Sequence, residues 1–379
     1  MTNELKGKKI VVIENGLLST YTMREGLMMR LIQEGCEVYI LTHTNKFVHQ
    51  VEKTGLRVFN VGSGNFNLVK VARYIFNLRK ALKRIEPDVC LTFSIRPAIF
   101  GNIITRQMNI PTITNITGVG PLFTSKKLVY RMARRLYRNA LTKTKKVFFQ
   151  NYDDMELFIA RKFVRPAIAE RIPGSGVDYN KFKPRISREK DPDTFIFLFI
   201  GRLIKDKGIF EFINAARKVR KRFPNTVFNV IGPFWTQNLK TNTITKSQFQ
   251  HWIEEGVIDY LGEKKDVRKF IAEADCIVLP SYREGTSNIL LEASSMEKPV
   301  ITTNTTGCKE IVEDGVTGLI CRVKDENDLA EKMRTMMSLT NAERMDMGKK
   351  GRQKIIKEYD KQLVIAAYLE VLKKEVCYS

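Results

Sequence analysis

The stretch from Cys276 to Glu292 constrains this chain more than any other. Cys276-Ile-Val-Leu279 is an apolar run without polar alternation, the pattern of a strand covered on both faces. Pro280 closes it, Gly285-Thr-Ser-Asn288 supplies turn and capping chemistry, and Ile289-Leu290-Leu291 opens an apolar helix. Strand, loop and helix in that order belong to a parallel α/β sheet. Two carboxylates flank the helix start, Glu284 in the loop and Glu292 in the second turn. A helix start presents unbonded backbone N–H groups and partial positive charge, so Gly285, Asn288, Ile289 and Leu290 suit a phosphate. Glu292, leaning back along the helix, can accept from both hydroxyls of a ribose, and Glu284 from those of a sugar beyond the phosphates. The plainer alternative makes Glu284 a solvated loop acid and Glu292 an ordinary surface position. Against it, Glu292 sits among Ile289, Leu290, Leu291 and Ala293, where an unpartnered acid is costly.

A second cluster lies upstream. Phe195-Ile-Phe-Leu-Phe-Ile200 reads as a central strand, and Gly201-Arg-Leu-Ile-Lys-Asp-Lys-Gly208 follows it. Gly201 lets a ligand approach the backbone, while Arg202 and Lys207 can reach a diphosphate. The phrase Glu284-Gly-x-x-x-x-x-x-Glu292, taken with Gly201-Arg-Leu…Lys207-Gly208, resembles the signature of the retaining glycosyltransferases of family 4. The resemblance implies an α/β fold of two Rossmann-like, doubly wound domains facing a cleft, the GT-B fold. Strand-edge phrases such as Thr92-Phe-Ser-Ile-Arg-Pro97 and Asn115-Ile-Thr-Gly-Val-Gly120 are similar to the bacterial subgroup that builds capsule, O-antigen or lipid-linked oligosaccharide.

At 379 residues the chain suits two domains, each able to bury its own core. Its cysteines, at 36, 90, 276, 308, 321 and 377, form no C-x-x-C pair and read as reduced thiols. No stretch approaches the roughly 20 apolar residues of a spanning helix, and Met1–Lys9 runs into a strand rather than a signal peptide, so a cytoplasmic location is expected. The net charge of +23 is concentrated in the first half, where no acid occurs between Asp88 and Asp153. Such a surface favours an anionic partner: nucleic acid, an anionic membrane or a diphosphate.

In that half, Lys9-Ile-Val-Val-Ile13 reads as a buried parallel strand ending at Gly16, followed by a helix over about 20–35 and a strand at 37–42. The Gly16 loop lacks a dinucleotide fingerprint. Arg96 follows the strand Pro87–Phe93, and Thr117 and Gly118 follow the strand Pro111–Ile116, all at edges where ligands bind in open α/β sheets. Gly16, Arg96, Thr117 and Gly118 are therefore candidate acceptor contacts, with a surface arginine and plain turns as the alternatives. Many family 4 enzymes carry a histidine near this loop, where this chain has Thr117. From Lys126 to Lys146 there are nine basic residues and no acids, with apolar residues at spacings of three and four. That pattern predicts a helix with one apolar face edged by Lys127, Arg131, Arg134, Arg135 and Arg138. It suits both a crossover helix packed on the sheet and adsorption to an anionic leaflet. Punctuation from Ile172 to Pro184 places the boundary near 183–193. The expected division is 1–183, 194–355 and a last helix, 356–379, that the resemblance returns to the first domain.

The resemblance implies a hexosyl- or N-acetylhexosaminyltransferase that uses a nucleoside diphosphate sugar, a UDP-sugar in expectation. Arg202, Lys207 and the helix-start amides would stabilise the leaving diphosphate, and Glu284 would orient the sugar. No Asp-x-Asp pair marks a metal site, so neither metal nor cofactor is expected, and the leaving phosphate is the candidate acceptor of the proton. A polyprenyl-diphosphate-linked saccharide at the inner face of the cell membrane accounts for the basic first half without nucleic acid. A nucleotide-sugar epimerase and a basic nucleic-acid-binding protein remain as rivals.

Overall fold

The computed structural model describes residues 4–44, 47–62, 68–120, 123, 128–185, 193–234 and 244–377. By internal contacts the chain divides into two compact units, 1–175 with 361–379, and 176–360. The division falls before the expected 183–193 because Val177 pairs in parallel with Asp360, and its N–H donates to the Tyr359 carbonyl. The same pairing separates the helix Asn341–Glu358 from the helix Lys361–Cys377, which lies within the span expected for the last helix, 356–379.

In the first unit the described strands form a parallel sheet in the order β3-β2-β1-β4-β5-β6-β7. They are β1 (Lys9–Ile13), β2 (Glu37–Thr42), β3 (Arg57–Asn60), β4 (Val89–Phe93), β5 (Thr112–Ile116), β6 (Lys146–Phe149) and β7 (Ala169–Arg171). The order reverses between β1 and β4, so the loops after these two strands diverge, and Gly16 and Arg96 stand there. Helix α1 (Leu17–Gln33) and the short α2 (Val48–Glu52) cross to β2 and β3. Helices α3 (Leu68–Ile85), α4 (Asn102–Gln107), α5 (Leu128–Ala140) and α6 (Tyr152–Ala160) make the crossovers running the other way, which right-handedness puts on the opposite face. Arg79 of α3 donates to Gln107 of α4 at 3.2 Å, and Arg106 of α4 donates to the Asn139 carbonyl of α5 at 2.9 Å, so these three helices lie side by side.

Helix α5 departs from the expected inward apolar stripe. Tyr137 and Ala140 are buried, with Tyr137 edge-on to Phe158, but Met132 and Leu136 remain 58% and 45% exposed beside Arg131, Arg135 and Arg138. An apolar arc wider than the sheet can cover leaves its outer edge in solvent. Lys127 lies outside the described residues.

Strands of the second unit are ordered β10-β9-β8-β11-β12-β13, again parallel. They comprise β8 (Phe195–Ile200), β9 (Thr226–Ile231), β10 (Asp259–Tyr260), β11 (Cys276–Leu279), β12 (Val300–Thr303) and β13 (Gly318–Cys321). Helix α7 (Ile209–Arg220) follows β8, α8 (Lys246–Glu254) and α9 (Arg268–Glu273) come next, and α10 (Asn288–Ser295) follows β11. Then come α11 (Glu326–Ser338) and α12 (Asn341–Glu358), while α13 (Lys361–Cys377) belongs to the first unit. There Tyr368 lies 4.8 Å from the Phe148 ring and accepts from Asn115 at 2.8 Å. Cys36, Cys90, Cys276, Cys308 and Cys321 are buried and free.

Candidate functional site

The sheet order of the second unit reverses between β8 and β11, and the loops leaving these adjacent strands carry the candidate donor residues. After β8 the chain passes Gly201 and Arg202, makes a 3-10 turn at Lys205–Lys207, and enters α7 through Gly208 at φ +74°. A Cβ on Gly208 would stand 2.0 Å from the Pro280 carbonyl oxygen, so only glycine lets the two loops touch. The Tyr282 N–H donates to the Asp206 carbonyl at 2.8 Å, closing the seam.

This seam brings Lys207 and Glu284 together. The Lys207 ammonium forms an ion pair with the Glu284 carboxylate, which also accepts from the Ser281 hydroxyl at 2.7 Å. Both side chains keep a minority of their surface, 18% and 13%. From the other side, the loop after β12 fixes the Glu284 backbone: its N–H donates to Thr306, and Ser287 N–H donates to Gly307 at 3.0 Å. Gly307, at φ +78°, lies so close that a Cβ would meet the Glu284 and Gly285 carbonyl oxygens at 2.6 Å. The sequence reading passed over Gly307, and Gly232 as well, whose added Cβ would collide with the Gly201 carbonyl. Their signal in the sequence is only a glycine just past an apolar strand. Glu310 accepts from the Gly307 N–H at 2.8 Å and so braces this loop.

Helix α10 starts without a side-chain cap, despite Ser287 at its N-cap, leaving its first-turn amides at Ile289 and Leu290 for another acceptor. Glu292, one turn on, is half-buried, and burial pushes its carboxyl up to about 7, with Lys181 acting against that rise and Asp266 adding to it. Arg202 is exposed on the loop after β8.

In the first unit, Gly16, Arg96, Thr117 and Gly118 follow the neighbouring strands β1, β4 and β5. Arg96 is not the surface arginine that stood as the alternative to an acceptor contact. Only 9% of its surface is accessible; its guanidinium donates to Asn15 at 2.7 Å, lies 4.8 Å from the Tyr74 ring, and has its pKa lowered by burial. Beside it the sequence reading missed a buried pair, Arg24 and Glu14, 3.6 Å apart. Arg24 covers the Phe93 ring at 4.3 Å and donates to Ser175 at 2.6 Å, while desolvation raises the Glu14 pKa. The signal was an arginine among the apolar positions of α1. Among the described residues, no group of three or more His, Cys, Asp or Glu could hold a metal.

With this geometry in hand, two family models account for most of the chain. Residues 180–354 match the family of glycosyl transferases group 1, and residues 20–174 match the glycosyl transferase 4-like domain. The chain is a family 4 glycosyltransferase of the GT-B type. This glycosyltransferase is 22% identical to the N,N'-diacetylbacillosaminyl-diphospho-undecaprenol alpha-1,3-N-acetylgalactosaminyltransferase of Campylobacter jejuni, over 94% of this chain and 96% of that one. It is 27% identical to the UDP-Gal:alpha-D-GlcNAc-diphosphoundecaprenol alpha-1,3-galactosyltransferase of Escherichia coli, over 78% of each. A sucrose-phosphate synthase from Thermosynechococcus elongatus has the same fold, with TM-score 0.82 at 16% identity over 98% of this chain and all of that one.

Proposed function

We propose that this glycosyltransferase moves a hexosyl or N-acetylhexosaminyl group, with retention, from a UDP-sugar to a saccharide carried on a polyprenyl diphosphate, at the inner face of an anionic membrane. The observation carrying this reading is the Lys207–Glu284 pair beside the uncapped start of α10. Lys207, Arg202 and the amides of Ile289 and Leu290 bind the diphosphate, with Gly201, Gly285 and Asn288 lining the approach. Glu292 takes the ribose hydroxyls. Glu284 takes sugar hydroxyls and stabilises positive charge developing on the ring as the leaving diphosphate departs. The diphosphate oxygen receives the acceptor proton, without metal or cofactor. On the acceptor side, Gly16, Thr117 and Gly118 offer backbone groups, and Arg96 shapes the loop through Asn15. The relatives named for diphosphoundecaprenol acceptors support the lipid-linked substrate, and the exposed arginines of α5 support the membrane. Neither requires nucleic acid.

The test has two stages. UDP and a set of UDP-sugars are screened for a rise in melting temperature, and the stabilising donor is then offered with a synthetic polyprenyl-diphosphate saccharide. Transfer to that acceptor with the α-anomer retained is expected; donor conversion without acceptor would point to an epimerase and refute the assignment.

A further inference from the structure

We propose that helix α3 is a second lipid-binding element, which with α5 sets the face of the first unit lying on an anionic leaflet. This rests on the proposed membrane-borne acceptor and extends it to a part of the chain so far given no role. Helix α3 carries six lysines and arginines and no acid. Its buried side is Tyr74, Leu78, Ala81, Leu82 and Ile85. Successive turns of its other side present Val69, Arg73, Phe76, Lys80 and Lys83, all exposed. Val69 keeps 69% of its surface and Phe76 66%, the two largest values among the exposed large hydrophobic residues.

A phenylalanine held in water between cations is unfavourable in a free surface and favourable at a headgroup boundary, where its ring enters the acyl region and the cations meet phosphate. Helix α5 repeats the arrangement, with Met132 and Leu136 one turn apart beside Arg131 and Arg135. Both helices lie on the same face of the sheet, with α4 between them bonded to each through Arg79–Gln107 and Arg106–Asn139. Helix α4 adds another cation, Arg106, and like α3 and α5 contains no acid, so every charged residue of the three helices is a cation. Two apolar anchors on separate helices hold an orientation, whereas one permits rotation about its axis. The exposed apolar residues favour lipid over nucleic acid, which would need cations alone.

The experiment is flotation of the full chain with phosphatidylglycerol–phosphatidylethanolamine vesicles, using phosphatidylcholine vesicles and added RNA as comparisons. Phe76→Ser is expected to weaken vesicle partitioning about tenfold. Lys80→Ala with Lys83→Ala should weaken it roughly fivefold per charge at low salt. Met132→Ser with Leu136→Ser should weaken it too, and adding Phe76→Ser should weaken it further. In each variant an unchanged melting temperature certifies the fold. Phe76→Ser or Lys80→Ala/Lys83→Ala chains that float like the parent would overturn the proposal, as would parental binding abolished by RNA. Turnover of a water-soluble short-chain prenyl-diphosphate acceptor separates the two claims: if no such acceptor is used, the functional reading fails, whereas the role of α3 is decided by flotation alone.

Discussion

Lys207 and Glu284, 77 positions apart, form an ion pair held by two touching loops, and Ser281 donates to the same carboxylate. At the proposed donor site, the sugar and diphosphate would therefore enter an arrangement whose charges already oppose one another. Glu284→Gln keeps the shape and removes the negative charge. Transfer should fall by about 10²- to 10³-fold, with the melting temperature nearly unchanged. Lys207→Met alone leaves the half-buried carboxylate without its cation and should cost about 2 kcal/mol in denaturant unfolding. Adding Glu284→Gln should return most of that stability and none of the activity.

Glu292 gives a pH signature with two opposite signs. Burial holds its folded pKa near 7, above the ordinary 4.5. Between those values the folded chain keeps a proton that the unfolded chain has released, so this group's contribution to stability is complete below about pH 4.5 and is lost as pH rises through about 7. With the ribose contact proposed for Glu292, donor binding runs the other way, because the ionised carboxylate would accept from both ribose hydroxyls. UDP affinity should rise between pH 6 and 8. Glu292→Gln should weaken UDP binding, flatten its pH dependence and remove this group's contribution to the pH dependence of melting.

The glycine seams should be among the least tolerant positions. Gly208→Ala combines a left-handed backbone with a methyl group 2.0 Å from the Pro280 oxygen and should cost about 3 kcal/mol or more, with loss of transfer. Gly262 has a similar φ of +78° but open space around it, so Gly262→Ala should cost only about 1 kcal/mol. Denaturant midpoints of the two variants measure the difference.

Apolar runs and turn residues made the central strands legible: Lys9–Ile13, Phe195–Ile200 and Cys276–Leu279 stand where the sequence puts them. Lys207 and Glu284 were legible as candidates because each follows an adjacent strand, but their pairing depends on the contact of Gly208 with Pro280. Gly307 was invisible for the same reason, since its partners Glu284 and Gly285 come from another loop. Arg96 was legible only as a candidate contact or a surface arginine, because its burial requires Asn15 and Tyr74, distant in sequence. Periodicity found the apolar residues of α5 but could not say how many the sheet would cover.

The buried Arg24–Glu14 pair offers a test of the first unit. Arg24→Met strands an acid that is 92% buried and should cost about 3–5 kcal/mol; Arg24→Met with Glu14→Gln should recover most of it. Guanidinium unfolding of the three chains measures this. A single variant as stable as the parent would mean that the pair contributes little.

The placement of α13 has a consequence for biosynthesis. The first unit begins the chain, leaves it at 175, and regains its last helix only at 361. Asn115 waits 253 residues for Tyr368, so a growing chain can finish the second unit while the first still lacks the helix that covers Phe93 and Phe148. The half made earliest on the ribosome is therefore completed last, and loss of the final few turns would leave its core open to chaperones and proteases even when the second unit is intact.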